Sequence, residues 1–140
     1  MYALPVQAVK EVLRAGGIDP IPEAAGFIEG VINLRGRIVP VINAGAKLGL
    51  AKKGPLPKGR IIIVPFGQHE LGFLVDGGTE VISVRDECIE RPDEILKDAQ
   101  YLTGMGKSEK GLVLIMDIEK LLSGEDKDGL RTVRSKLQEA

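Results

Sequence analysis

Residues 30–43 read GVINLRGRIVPVIN, two arms rich in Val and Ile that meet at Arg35-Gly36. β-branched residues favour extended backbone, and Gly36 can take the positive φ that a tight turn often demands, so the stretch predicts a β-hairpin. Pro40 removes a ladder donor from the second arm, which predicts an edge strand or a bulge there. Outward from this hairpin, RIIIVPF (60–66) and LGFLVDGG (71–78) predict a second one across Gly67-Gln68-His69-Glu70, and EVISV (80–84) continues as a strand. A third pairs YLTGMGKSEKG (101–111) with the apolar run LVLIMDI, and Gly104, Gly106 and Gly111, with Lys107, Ser108 and Lys110 among them, read as the polar crossing between its strands. Short apolar runs punctuated by Gly and Pro favour a β-rich barrel over a helical bundle.

Helices are expected to be few and short. PEAAGFIEG (22–30) can make a turn or two before Gly30, and ERPDEILKDAQ (90–100) places Pro92 near a helix start with acidic residues in the first turn. AGAKLGL (44–50) and DIEKLLSG (117–124) resemble one another, each a short helix leaving a strand, which hints at two similar barrels in tandem. The tail carries Leu130, Val133 and Leu137 at helical spacing, so residues 125–140 predict a C-terminal helical tail after a domain spanning 1–124.

Composition narrows the function. A chain of 140 residues suits one domain, and 19 Lys plus Arg against 20 Asp plus Glu leave a net charge of −1. Such a balance lacks the concentrated positive field that draws proteins to phosphate backbones, and with no Trp, two Tyr and three Phe there are few platforms for stacking bases. No nucleic-acid partner is expected. Cys88 has no second cysteine to pair with, the N-terminus lacks a signal-peptide pattern, and no apolar run approaches the roughly 18 residues of a membrane span. A cytoplasmic protein without direct membrane insertion is expected.

The letters Gly106-Lys107-Ser108 close a phosphate-binding P-loop elsewhere, but the glycine that must open it is replaced by Tyr101, and a strand follows where a helix is needed. Catalysis fares no better, because a nucleophile needs an oriented base and the one histidine, His69, lies in a predicted turn. One His and one Cys cannot supply a zinc ligand set, and Asp76-Gly77-Gly78 reads as a turn. No enzyme, cofactor or metal is expected. What remains is a surface: Arg35 at the hairpin turn and Glu11 among Val9, Val12 and Leu13 are either two solvent-facing charges or a pair beside an exposed apolar groove.

YALPVQAVKEVLR (2–14), GFIEGVINLRGRIVPVIN (26–43), RIIIVPFGQHELGFLVDGGTEVISV (60–84) and YLTGMGKSEKGLVLIMDIEKLL (101–122), in that order, resemble the CheW chemotaxis coupling proteins. The resemblance runs from Tyr2 to about Leu122. It implies a mainly β fold of two SH3-like five-stranded β-barrel subdomains with few short helices, and a non-catalytic scaffold joining the cytoplasmic hairpin tips of chemoreceptors to the regulatory domain of the histidine kinase CheA. It places Val6, Val9, Glu11 and Arg35 in the receptor-binding region, with Arg35 the partner of Glu11, and Ile18, Gly30 and Gly36 among positions the kinase interface depends on. A related CheW-like adaptor or kinase regulatory domain in another two-component system is the alternative, and a small β-barrel enzyme or ligand-binding protein a more distant one. Two departures stand out. The family usually carries ten or more residues before the YALPV strand, so its first strand is expected to be missing, and Asn43-Ala44-Gly45 stands where Asp-Leu-Arg is common.

Overall fold

In the computed structural model the GVINLRGRIVPVIN stretch forms the predicted hairpin, and that hairpin organises the larger of two units. The structure describes residues 2–21, 27–47, 59–75, 89–90, 101–108, 111–122, 127 and 130. Strands β1 (Tyr2–Ala3), β2 (Glu11–Arg14), β3 (Ile28–Leu34), β4 (Arg37–Asn43), β5 (Arg60–Phe66), β6 (His69–Val75), β7 (Ile89–Glu90), β8 (Leu102–Ser108) and β9 (Gly111–Met116) are joined by short helices α1 (Ala44–Lys47) and α2 (Ile118–Leu121). They form a five-stranded sheet in the order β2-β5-β6-β4-β3 and a four-stranded one in the order β1-β9-β8-β7. The chain divides accordingly into one unit of Met1–Ala8 with Glu80–Ser123 and another of Val9–Thr79 with Gly124–Ala140.

In the five-stranded unit β3 and β4 pair from Ile28↔Ile42 to Leu34↔Arg37, leaving Arg35-Gly36 as a two-residue turn. Ile32, Leu34, Val39, Val41, Ile61, Ile63 and Leu74 pack into one buried cluster, with Leu13, Ala15 and Ile18 against it. Because side chains alternate along a strand, β3, β4, β5 and β6 each contribute the inward members of their alternation to this cluster. The sheet closes on itself: Asp19, just beyond β2, donates its N–H to the Val31 carbonyl at 2.8 Å and accepts from the Val31 N–H at 2.9 Å. That exchange joins the two outer strands, so an open sheet edge becomes a barrel seam.

The four-stranded unit is built on the β8–β9 hairpin, with β1 running parallel to β9 and β7 antiparallel to β8. Leu102, Val113, Met116, Ile118, Leu121 and Leu122 are buried. Asp117 caps α2 by accepting the Glu119 N–H at 2.9 Å, which fixes the helix start that DIEKLL announces.

Several expectations change. Pro40 sits in β4, which lies between β6 and β3 and is an internal strand, not an edge; an irregularity does lie beside it, where the β3 register shifts between Ile28 and Gly30 opposite Ile42 and Val41. Pro40 is tolerated because its partner Val31 spends both backbone groups on Asp19, so no bond is asked of Pro40 there, and the ladder to β6 begins only at Val41↔Gly72. Ile28, Glu29 and Gly30 are strand, not helix, since pairing with β4 outweighs a weak local propensity. The turn between β5 and β6 is Gly67-Gln68 alone, with His69 and Glu70 already in β6. Gly104 and Gly106 lie within β8, facing its neighbours and not a loop. The YALPV strand contracts to Tyr2–Ala3, and Val6–Ala8 forms a 3-10 turn. Lys127 and Leu130 are helical and Leu130 is buried, but most of the predicted tail, EVISV, residues 91–100, Cys88 and Asp76-Gly77-Gly78 lie outside the described residues. Among the described residues no helix is long and apolar enough to cross a membrane.

Candidate functional site

The feature that draws attention is a turn that works against its own residue. Arg35 has φ 54° and Gly36 φ 85°, the pattern of a type I′ turn, which matches the twist of the flanking strands. Gly accepts such a φ freely. An arginine there meets the clash of Cβ with backbone that costs roughly 1–2 kcal/mol per residue in the left-handed region. The turn is held by the Asn33 side chain, whose Oδ1 accepts the Gly36 N–H at 2.9 Å. Among the described residues Arg35 is the only non-glycine with positive φ.

From this turn the guanidinium reaches Glu11 at the start of β2. Nη1 and Nη2 donate to Oε1 and Oε2 at 2.9 and 3.0 Å, a two-point fork between flat groups of matching geometry. Arg35 is 68% exposed and Glu11 26%, so the carboxylate is recessed beneath a cation that faces solvent. Hydrogen bonding to Glu11, then its charge, raises the Arg35 pKa further above its ordinary value, and the guanidinium stays charged. The pair spans the same seam between β2 and β3 that Asp19 and Val31 close.

A second carboxylate lies beside it. Glu70, 8% exposed, contacts Arg37 through Oε1 and Lys10 through Oε2, the latter at 3.7 Å. Glu11 shares a face of β2 with Leu13, Arg37 a face of β4 with Val39 and Val41, and Glu70 a face of β6 with Leu74. Those apolar residues belong to the core cluster or pack on it, so the three charges continue the inward rows past the core, Glu11 and Arg37 by one step and Glu70 by two across Gly72. Lys10, Arg37 and Glu70 were not singled out from sequence. For Arg37 and Glu70 the available signal is a charge at a position that alternation assigns to the interior; Lys10, adjacent to Glu11 and out of phase with it, carries no such signal.

The remaining candidates divide. Gly30 faces the seam: a Cβ there would lie 2.2 Å from the Asp19 carbonyl oxygen, and its φ is 153°. Only glycine admits the Asp19 crossing. Ile18 is half-buried, packed on the core cluster and next to Gly30. Gly36 completes the exposed turn. Val9 precedes β2 in the same unit, whereas Val6, 63% exposed, belongs to the 3-10 turn of the other unit. Neither valine stands on a strand, because the chain turns at Pro5–Ala8 with the Ala8 N–H bonded to the Pro5 carbonyl. The Asn43 substitution has a local reason. Its buried amide donates to Glu29 Oε1 at 2.9 Å, where an aspartate would set two carboxylates against each other.

A model of the CheW-like domain matches residues 1–126. The chain is 34% identical to the chemotaxis protein CheW of Klebsiella aerogenes, over 89% of this chain and 76% of that protein. It is 33% identical to the CheW of Bacillus subtilis, over 89% and 81%. Among solved structures, the scaffolding protein TtCheW from Thermoanaerobacter tengcongensis superposes with a TM-score of 0.80 at 35% identity, covering 89% of this chain and 86% of that one. With the domain model spanning residues 1–126 and relatives above 30% identity along most of its length, the chain belongs to the CheW family.

Proposed function

We propose that this CheW-family scaffold acts in the cytoplasm by touch alone, coupling the helical hairpin tip of chemoreceptors to the regulatory domain of the kinase CheA. Val6, Val9, Glu11 and Arg35 form the receptor-facing set, and Ile18, Gly30 and Gly36 belong to the kinase-facing one. The observation that carries this reading is the Arg35–Glu11 fork, built on a backbone conformation that arginine disfavours. Non-glycine residues in the left-handed region persist where the surrounding structure over-determines them, and they cluster at functional sites. A docking helix presents apolar side chains at i, i+3, i+4 and i+7, and the exposed Val6 suits such a contact. Gly30 and Gly36 serve the kinase side through shape, one admitting the seam and the other the turn.

The test is a pull-down of a receptor cytoplasmic fragment and of the kinase regulatory domain with Glu11→Ala and Arg35→Ala proteins shown to be folded by circular dichroism. Weakened receptor capture is expected from both. Undiminished capture of both partners would refute the assignment, and a wild-type protein that captures the kinase domain alone would favour a related adaptor in another signalling system.

A further inference from the structure

We infer that Lys10, Arg35 and Arg37 form a cationic row that recognises an acidic segment of the partner docking at the Glu11–Arg35 surface. This rests on the receptor reading above and names the chemistry it requires. Three cations meet two carboxylates at this end of the barrel, so the cluster carries one positive charge in excess. The charges are also layered. Lys10, Arg35 and Arg37 are 50%, 68% and 55% exposed, against 26% for Glu11 and 8% for Glu70. A partner therefore meets cations while the neutralising carboxylates lie beneath them.

Glu11 and Glu70 orient the row. Arg35 spends one N–H of each terminal nitrogen on Glu11 and retains three donors for another acceptor. A planar guanidinium already fixed on one carboxylate loses little freedom on meeting a second, so the row is ordered before the partner arrives. Carboxylate side chains on a helical segment are the complementary group, and the chain's net charge of −1 disfavours a polyanion that binds by bulk field.

The experiment measures affinity for a receptor cytoplasmic fragment across a salt series, using wild type, Lys10→Glu and Lys10→Gln. Lys10 is chosen because Arg37 stays on Glu70 and the fork is untouched, and circular dichroism confirms that each variant is folded before binding is measured. A second probe is a helical Glu/Ala peptide against its Gln/Ala counterpart, followed by chemical-shift changes at Lys10, Arg35 and Arg37. Lys10→Glu is expected to weaken fragment binding about three- to tenfold at low salt and to flatten its salt dependence, with Lys10→Gln between, and the difference should vanish near 1 M salt. A purely structural role would leave the salt slope unchanged. Fragment binding with the same affinity and slope in all three proteins overturns the inference. If the fragment fails to bind even wild type, the receptor reading falls, and a Glu-dependent peptide response at the three cations still supports the row while its absence removes both.

Discussion

The barrel contains two hairpins of the same length that solve the same turn differently. Between β5 and β6 the positive φ of a tight turn falls on Gly67, at 62°, with Gln68 following in the pattern of a type II′ turn. Between β3 and β4 it falls on Arg35, with Gly36 after it. One hairpin takes the residue that costs nothing; the other retains a side chain at a conformational expense. What separates them is the side chain: Arg35 reaches across the seam to Glu11, and Gly67 at the matching position has none. A turn residue held against its preference distinguishes the β3–β4 hairpin more sharply than apolar pattern does.

The largest expected effect comes from a matched pair of glycines, one per hairpin. A Cβ at Gly30 meets the backbone carbonyl of Asp19, which cannot move without opening the seam, and Gly30→Ala is expected to cost about 3 kcal/mol in urea unfolding. A Cβ at Gly72 of β6 meets methyl groups of Ile61 and Val41 at 2.9 and 3.2 Å. Side chains can shift, so Gly72→Ala is expected to cost roughly 1–2 kcal/mol. Equal losses would mean that the seam is no more rigid than the core. Next in size is a turn exchange: Gly67→Arg should destabilise by about 1 kcal/mol, while Arg35→Asn should raise the urea midpoint because asparagine tolerates the left-handed region. The same Arg35→Asn protein should bind receptor fragment about tenfold more weakly, measured by titration calorimetry, so stability and binding move in opposite directions.

The smallest effect lies on the other unit and serves as a contrast. Burial, then the neighbouring Tyr2, raises the Tyr101 pKa above its ordinary value. A raised folded-state value means that folding favours the protonated phenol, so its contribution is complete below the unfolded value of about 10 and is lost as pH rises through the folded one. Urea unfolding of wild type should therefore decline more steeply than that of Tyr101→Phe above about pH 10. Parallel curves would show that the phenol's surroundings do not distinguish its two states.

The hairpins were legible because alternation, β-branching and turn glycines all act locally. β6 reads as an unbroken apolar run for the same reason that it is buried from Glu70 to Leu74: neighbours cover both of its faces. The seam was not legible. Asp19 looks like any acidic residue before a proline, and nothing near it in sequence indicates that it meets Val31. Glu11 and Arg35 are 24 residues apart, and local reading left them open as two solvated charges until a family resemblance paired them. Glu70 is obscured because a four-residue turn and a two-residue one fit the same letters GQHE. The internal place of Pro40 is hidden because it depends on Val31 turning its backbone groups to Asp19, a contact distant in sequence.

The most direct test is the mass, by analytical ultracentrifugation, of a mixture of this chain, a receptor cytoplasmic fragment and the CheA regulatory domain, run with wild-type protein and with folded Arg35→Ala. Wild type should yield a species containing all three, and Arg35→Ala should leave a two-component complex with the kinase domain while the receptor fragment sediments alone. A three-component species formed equally well by Arg35→Ala, or none formed by wild type, would contradict the account.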